Sequence, residues 1–201
     1  MKNEFQPLLN FWFADTIEQP GTISDRMAFW FASSPDQDKE LEQHFGALTG
    51  KAGSGELLHW LTDPRGRLAH ILVLDQWPRC LYRGKPAAFE QDNWAAALCL
   101  AGVRQQIDLE LSATERAFFY MPLQHAEDLA AQQTAVELYQ QLEDEQGARR
   151  EIFANFRKYA ELHQDIISRF GRFPHRNKIL SRANTRKEQN YLDQGAPSFG
   201  Q

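Results

Sequence analysis

The spacing of apolar residues is helical along almost the whole chain. In residues 153–170 the apolar positions, among them Phe153, Phe156 and Ile167, recur at steps of three and four, which places them on one side of a helix. Residues 68–74 are apolar almost all round, which is typical of a helix buried in the centre of a fold. Clean two-residue alternation, the mark of a half-buried strand, occurs nowhere in the sequence. The pattern therefore predicts an all-α fold.

Helix starts are marked by side chains that can cap them. Asp63 precedes a proline that would occupy the first helical position, and both residue types favour a helix N-terminus. Ser112 and Thr185 are each followed three residues later by glutamate, which is the spacing of a capping box. These signals predict helices that begin directly after Asp63, Ser112 and Thr185.

Prolines set several of the expected helix ends. Pro78 is expected to end the central helix and Pro122 an aromatic helix, because proline removes a hydrogen bond and crowds the preceding turn. A long polar helix is then expected to start at His125. The pattern predicts about nine or ten helices in one domain over residues 1–194, with a tail over 195–201. We expect an irregular array of antiparallel helical hairpins, similar to tetratricopeptide-repeat proteins.

Charge and cysteine content exclude several classes of protein. The chain has 201 residues and a formal net charge of −5, with a pI of about 5.7, so it lacks the basic character of a general nucleic-acid-binding protein. Cys80 and Cys99 have no zinc or redox spacing, which is typical of proteins in a reducing compartment. The N-terminal residues lack the apolar core of a signal peptide, and no apolar run is long enough to span a membrane. We therefore expect a cytoplasmic protein that binds neither nucleic acid nor membrane.

One segment, residues 169–178, concentrates cations around a glycine and a proline. Residues 169–187 hold seven of the 22 Lys and Arg residues and none of the 27 Asp and Glu residues. Guanidinium groups bind carboxylate and phosphate through paired donors, and the N-terminus of a new helix adds backbone N–H groups. The segment therefore predicts an anion site. The alternative is that the same arginines pair with acidic residues elsewhere and hold the last helices in place.

Three polar clusters interrupt the apolar helical pattern, and each lies beside an expected helix end. They centre on Asp75, on His125 and on His163. Together they would supply a base, carboxylates and anion-binding arginines, which suits acid–base or hydrolytic chemistry on a phosphorylated or carboxylated small molecule. His163 also lies on an apolar stripe, where a histidine packed in the core is the simpler interpretation. The predicted catalytic residues are His125, His163, Asp75 and Asp128, and the predicted ligand-binding residues are Gln76, Arg79, Arg83, Glu127, Arg169, Arg172, His175, Arg176 and Asn177.

Other chemistries have less support from the sequence. On a helix His125, Asp128 and Gln132 would share a face. Imidazole and carboxylate groups from His125, Glu127, Asp128 and His163 suit a divalent metal ion, but no His-Glu-X-X-His motif is present. Neither a Gly-X-Ser-X-Gly elbow nor a glycine-rich phosphate loop occurs. We therefore expect no cofactor of the ATP, NAD or flavin type.

Three strings carry a resemblance to a known bacterial family. They are ILVLDQWPR at 71–79, YMPLQHAED at 120–128 and RFGRFPHRN at 169–177. These strings resemble the family catalogued as domain of unknown function 924, and the likeness extends over nearly the whole chain. The resemblance implies an all-helical fold similar to tetratricopeptide-repeat proteins, without an established activity. Because the three strings coincide with the three polar clusters, the resemblance also implies a shared functional pocket.

Two functions and a structural role fit these observations. The first is an enzyme for an anionic small molecule, in which His125 or His163 acts as acid or base and the arginines of 169–178 hold the anion. The second is a binding module whose concave helical surface captures a peptide with an acidic end. The third is purely structural, with each polar cluster locking helix ends together. A narrow, buried pocket would favour chemistry, whereas an open groove would favour peptide binding.

Overall fold

The computed structural model describes residues 4–19, 22–32 and 34–200. Within these ranges the chain forms α-helices joined by turns and short 3₁₀ segments, and no strand is present, so the all-α prediction is confirmed. Of the predicted domain over 1–194 and tail over 195–201, residues 1–3, 20, 21, 33 and 201 lie outside the described residues. The helices are α1 (Gln6–Phe13), α2 (Ile23–Phe31), α3 (Pro35–Gly53), α4 (Pro64–Leu81), α5 (Asp92–Arg104), α6 (Ala113–His125), α7 (Leu129–Asp144), α8 (Arg150–Phe170) and α9 (Arg186–Asp193).

The predicted helix starts are present with their caps. The Asp63 carboxylate accepts hydrogen bonds from the first two free N–H groups of α4, at 2.9 and 3.0 Å. Ser112 and Thr185 each form a complete capping box with a glutamate, Glu115 and Glu188 respectively. These caps satisfy N–H groups that a helix leaves without partners at its start. Local side-chain chemistry thus fixes where α4, α6 and α9 begin.

The prediction that prolines end two helices is wrong. Pro78 lies inside α4, which continues to Leu81, and Pro122 lies inside α6, which continues to His125. Both prolines are buried in helices whose neighbouring residues are also buried. The packing around each proline outweighs the cost of placing proline inside a helix, about 3 kcal/mol from the lost hydrogen bond and the steric clash of the ring. The backbone beyond Pro78 remains helical, since the N–H of Tyr82 donates to the Pro78 carbonyl at 2.9 Å.

The polar helix begins later than the sequence suggests. His125 is the last residue of α6, and Asp128 is the N-cap of α7, where its carboxylate accepts the Ala131 N–H at 2.7 Å. His125, Asp128 and Gln132 therefore do not share one helical face, and that prediction is wrong. Gln132 instead donates to the carbonyls of Gln124 and Ala126, at 2.6 and 2.8 Å. This contact ties α7 to the end of α6, because the last carbonyls of a helix need donors from outside it.

The helices form a layered array around α4 and α6. Consecutive helices contact each other from α3 to α8, and α6 also contacts both α4 and α8. Aromatic residues fill the centre, where the Trp12 ring lies 5.0 Å from Trp77 and 5.6 Å from Phe118, measured between ring centroids. Every residue of α4 from Gly66 to Pro78 is buried. Among the described helices, none combines the length and the hydrophobicity that crossing a bilayer requires.

Candidate functional site

A cavity of about 540 Å³ lies where α2, α4, α6 and α8 meet. This volume falls in the range of small-molecule sites. Four polar residues line one part of it: Gln76 and Arg79 from α4, and Gln124 and His125 from α6. The rest of the wall is mostly apolar and includes six aromatic residues, Phe29, Trp30, Phe31, Phe156, Tyr159 and Phe199. The two helices that continue past their prolines therefore supply the polar residues around His125, and further polar residues come from α3, α8 and the turn after α4.

His125 and Asp75 form a hydrogen-bonded pair at this wall. Nδ1 of His125 lies 2.8 and 3.0 Å from the two carboxylate oxygens of Asp75, and Asp75 is completely buried. Because an ionised carboxylate only accepts hydrogen bonds, Nδ1 carries the proton and Nε2 keeps a lone pair. Nε2 has no hydrogen-bond partner among the described residues. The imidazole thus has the tautomer that a general base requires.

Two arginines and two carboxylates form a buried ionic network behind the pair. Arg79 donates to the Asp75 carbonyl at 2.7 Å and to the Asp92 carboxylate at 2.9 Å. Arg176 donates to the same oxygen of Asp92 at 3.0 Å. Arg176 is only 5% exposed, and its guanidinium group stacks on Phe173 at 4.4 Å from the ring centroid. The two positive and two negative charges balance, as burial of ionised groups requires.

Burial and charge determine the ionisation of the pair. Burial by itself would raise the pKa of Asp75, but the charge of Arg79 and the hydrogen bonds from His125 and Gln76 together outweigh it and lower that pKa. Burial lowers the pKa of His125 from its usual 6.5, and Arg79 lowers it further against the opposing effect of Asp75. At neutral pH the site therefore contains an ionised Asp75 and a neutral His125. This combination is competent to accept a proton from a water or a substrate group.

A second imidazole, His163, lies beside His125, and a third, His175, contacts the same Phe199 ring as His163. The ring centroid of His163 is 5.9 Å from that of His125, and Nδ1 of His163 donates to the Tyr159 carbonyl at 2.7 Å. The Phe199 ring contacts both His163 and His175, with centroid distances of 4.1 and 5.3 Å. Burial lowers the pKa of His163 to about 3, and of His175 to about 3. Both rings are therefore neutral, and His163 is both a core residue and part of the cavity wall.

Arg83 lies at the edge of the cavity and has two kinds of partner. Its Nη2 donates to both carboxylate oxygens of Asp38, at 3.3 and 3.0 Å. Its Nη1 donates to the main-chain carbonyl of Gly200 at 2.8 Å. Gly200 belongs to the predicted tail, so this part of the chain lies against the cavity. Nothing in the sequence pointed to Asp38 or Phe199 as site residues, because neither lies in one of the three polar clusters.

The arginine-rich segment 169–178 lies outside the cavity lining. Arg172 donates to both carboxylate oxygens of Glu188, at 2.6 and 2.9 Å. Arg169 forms an exposed pair with Asp165 at 3.0 Å. Of the predicted residues, Gln76, Arg79, Arg83, His125 and His163 line the cavity, and Asp75 lies behind His125. The other predicted residues lie outside its lining: Glu127, Asp128, Arg169, Arg172, His175, Arg176 and Asn177. The contacts of these arginines are those expected of the structural alternative.

The proposed metal ligands also have other partners. Glu127 accepts two hydrogen bonds from Arg182, at 2.6 and 2.9 Å, and one from the Phe173 N–H at 2.8 Å. Asp128 caps α7. Over the described ranges no group of three or more His, Cys, Asp or Glu side chains has an arrangement that could hold a metal ion. These residues therefore act in helix capping and ion pairing.

The side chain of one cavity-lining residue, Gln124, contains a buried polar atom without a partner. The side-chain oxygen of Gln124 is buried and accepts no hydrogen bond from the described residues. Such atoms are rare in folded proteins, because leaving a buried acceptor unpaired costs about 1–3 kcal/mol. Gln124 directly precedes His125 in the sequence. Because the oxygen itself is buried, a molecule in the cavity could reach it only if the Gln124 side chain moved.

Comparison with known proteins agrees with the fold. A family model described as bacterial protein of unknown function (DUF924) matches residues 8–196. A protein of unknown function from Agrobacterium tumefaciens, ATU0120, has a solved structure that is similar to this chain with a TM-score of 0.79 and 33% sequence identity. The similarity covers 95% of this chain and 97% of that one. No curated protein matches this chain. The chain therefore belongs to the DUF924 family of bacterial proteins.

Proposed function

We propose that the protein is an enzyme that uses His125 as a general base on a small anionic molecule. The observation that carries this proposal is the His125–Asp75 pair, whose His125 lines a mostly apolar cavity of small-molecule size. Buried titratable groups with shifted pKa values in a cavity are a recurrent feature of active sites. We place this activity in the cytoplasm, because a reducing compartment keeps thiols such as Cys80 and Cys99 unpaired.

The reaction class that fits best is hydrolysis of an ester of a carboxylic or phosphoric acid. Nε2 of His125 takes a proton from water, and the resulting hydroxide adds to the carbonyl carbon or the phosphorus atom. The same proton then passes from Nε2 to the departing alkoxide, so the imidazole is neutral again at the end. Asp75 holds the ring in the required tautomer and stabilises the transient imidazolium.

Covalent catalysis by the nearby cysteine is disfavoured. Cys80 lines the cavity, but burial raises the pKa of its thiol to about 12. A thiol in that state is protonated at neutral pH, and the thiolate is the nucleophilic form. Water activated by His125 is therefore the better candidate for the attacking group.

The choice of an anionic substrate rests on Arg83. Its Nη1 is bonded to a neutral main-chain carbonyl, whereas a carboxylate or phosphate oxygen would form a stronger, charge-assisted hydrogen bond. Arg79 lies on the same wall, one helical turn from Asp75. The arginines of 169–178 do not line the cavity, so the anion-binding role moves to α4 and the turn that follows it.

Hydrolysis of mono-4-nitrophenyl esters of dicarboxylic acids and of 4-nitrophenyl phosphate tests the proposal. We expect the His125→Gln variant to lower kcat/KM on any hydrolysed ester by roughly 100-fold or more, the usual contribution of a general base. His59→Gln is the matched control, because His59 is exposed and pairs with Glu4 away from the cavity. Turnover that His125→Gln leaves intact in a folded protein would refute the proposal.

The second candidate is a tetratricopeptide-like module that binds a peptide without catalysis. The observation in its favour is that Phe199 and Gly200 already lie against the cavity as a peptide segment would, with a main-chain carbonyl on Arg83. In that case an acidic peptide would bind the wild-type protein and the His125→Gln variant equally well. No ester of the panel would then be hydrolysed above the rate of the buffer.

A further inference from the structure

Residues 199 and 200 make two separate contacts with the cavity. The Phe199 ring packs against His163 with a centroid distance of 4.1 Å and also contacts His175. The Gly200 carbonyl accepts a hydrogen bond from Arg83 at 2.8 Å. One contact is aromatic and the other polar, and both partners, His163 and Arg83, line the cavity. The segment 199–200 therefore occupies part of the space that a ligand would use.

The backbone of this segment is in an unfavourable conformation. Phe199 has a φ of 53° and Gly200 a φ of 78°. A left-handed φ is easy for glycine but costs a residue with a side chain about 1 kcal/mol or more. Such strain persists only where surrounding contacts hold the backbone in place. For this segment those contacts are the Phe199 ring on His163 and the Gly200 carbonyl on Arg83. Release of the segment would relieve the strain at Phe199 and offset part of the lost contact energy.

The groups that the segment presents define a ligand chemistry. An aryl ring would fill the position of the Phe199 side chain beside the imidazole of His163. A carboxylate oxygen would replace the Gly200 carbonyl on Nη1 of Arg83. Since Asp38 already occupies Nη2, one edge of the guanidinium group remains for the ligand. The carboxylate would bind Arg83 more strongly than the carbonyl does, because both partners are then charged.

We propose that the cavity binds a small molecule that carries an aryl ring and a carboxylate, and that the segment 199–200 occupies both positions when the ligand is absent. This inference rests on the proposed function, because it assigns the substrate class of the same site. It adds that ligand and segment compete. The apparent affinity for the ligand is then reduced by the fraction of molecules in which the segment covers the cavity.

Calorimetric titration of the full chain with 3-phenylpropionate tests the competition. In Phe199→Ala the aryl position is vacant, and we expect the Kd to fall by roughly 5- to 10-fold, which corresponds to a segment that covers the cavity in most molecules. Ser198→Ala is the matched control, because Ser198 is exposed and does not line the cavity; its Kd should equal that of the wild type. Arg83→Gln should weaken binding of 3-phenylpropionate but not of 3-phenylpropanol, which has no carboxylate.

The result that overturns the inference is an equal Kd for wild type and Phe199→Ala, or no binding of 3-phenylpropionate to either. Loss of the carboxylate preference in Arg83→Gln supports it, provided that circular dichroism shows the variant to be folded. Phe199→Ala tests the inference even if Arg83→Gln fails to fold. If the probe binds more tightly to Phe199→Ala but no ester is hydrolysed, the ligand assignment stands and the catalytic proposal fails. If hydrolysis depends on His125 while Phe199→Ala changes neither KM nor Kd, the catalytic proposal stands and the inference about the segment 199–200 fails.

Discussion

Replacement of His163 should make the protein less sensitive to acid. His163 is 4% exposed, and burial lowers its pKa from 6.5 to about 3, with the neighbouring His125 adding to the effect. In the unfolded chain the imidazole binds a proton below pH 6.5, whereas in the folded protein it stays neutral down to about pH 3. Acid therefore favours the unfolded state, and the stability due to this group is present above pH 6.5 and lost as the pH falls toward 3.

The size of the effect follows from these two pKa values. At pH 5 the pH is one and a half units below the pKa of the imidazole in the unfolded chain, so that imidazole is protonated, whereas the imidazole in the folded protein is still neutral. Each pH unit in this window is worth about 1.4 kcal/mol of unfolding free energy, so His163 accounts for a loss of about 2 kcal/mol between pH 8 and pH 5. The His163→Gln variant should lose about 2 kcal/mol less than the wild type over the same interval.

Urea unfolding followed by circular dichroism at pH 8 and pH 5 measures both losses. The comparison of one variant at two pH values removes the cost of the substitution itself, which is the same at both. His175→Gln should likewise lose less stability than the wild type between pH 8 and pH 5, because burial also lowers the pKa of His175 to about 3. An identical pH dependence of unfolding in wild type and His163→Gln would refute the view that His163 is held neutral by burial.

The remaining predictions concern the arginine-rich segment and two glycines. Replacement by methionine should destabilise the protein least at Arg169, which forms an exposed pair, and more at Arg172 and Arg176, whose acidic partners are buried. A lower urea midpoint for Arg169→Met than for the other two variants would contradict this order. In folded Arg172→Met the Kd for 3-phenylpropionate should not change. Gly102→Ala should lower the unfolding free energy by about 1–3 kcal/mol, because its Cβ would lie 2.5 Å from an aromatic ring atom. Gly50→Ala, with open space around its Cβ, should raise it by about 0.5–1 kcal/mol in the same assay.

The helices were predictable where the signal is local. The capping side chains of Asp63, Ser112 and Thr185 bind N–H groups two or three residues away, so the sequence alone contains both partners. Pro78 and Pro122 show the limit of such signals. Proline lowers the stability of any helix, but whether the helix ends there depends on the packing of the surrounding fold, which no local window contains.

In the candidate site, too, some features could be predicted from the sequence and others depended on the tertiary structure. The sequence by itself determined the all-helical fold class and singled out Asp75, His125 and His163, because polar residues in an apolar helical pattern are conspicuous. Only the tertiary structure decided which of the predicted residues meet, since Asp75 and His125 are 50 positions apart and Arg176 and Asp92 are 84 apart. A guanidinium group binds a substrate anion and a buried carboxylate by the same chemistry. The partner that it finds in the fold, and not its place in the sequence, therefore determined whether each arginine lines the cavity or holds helices together.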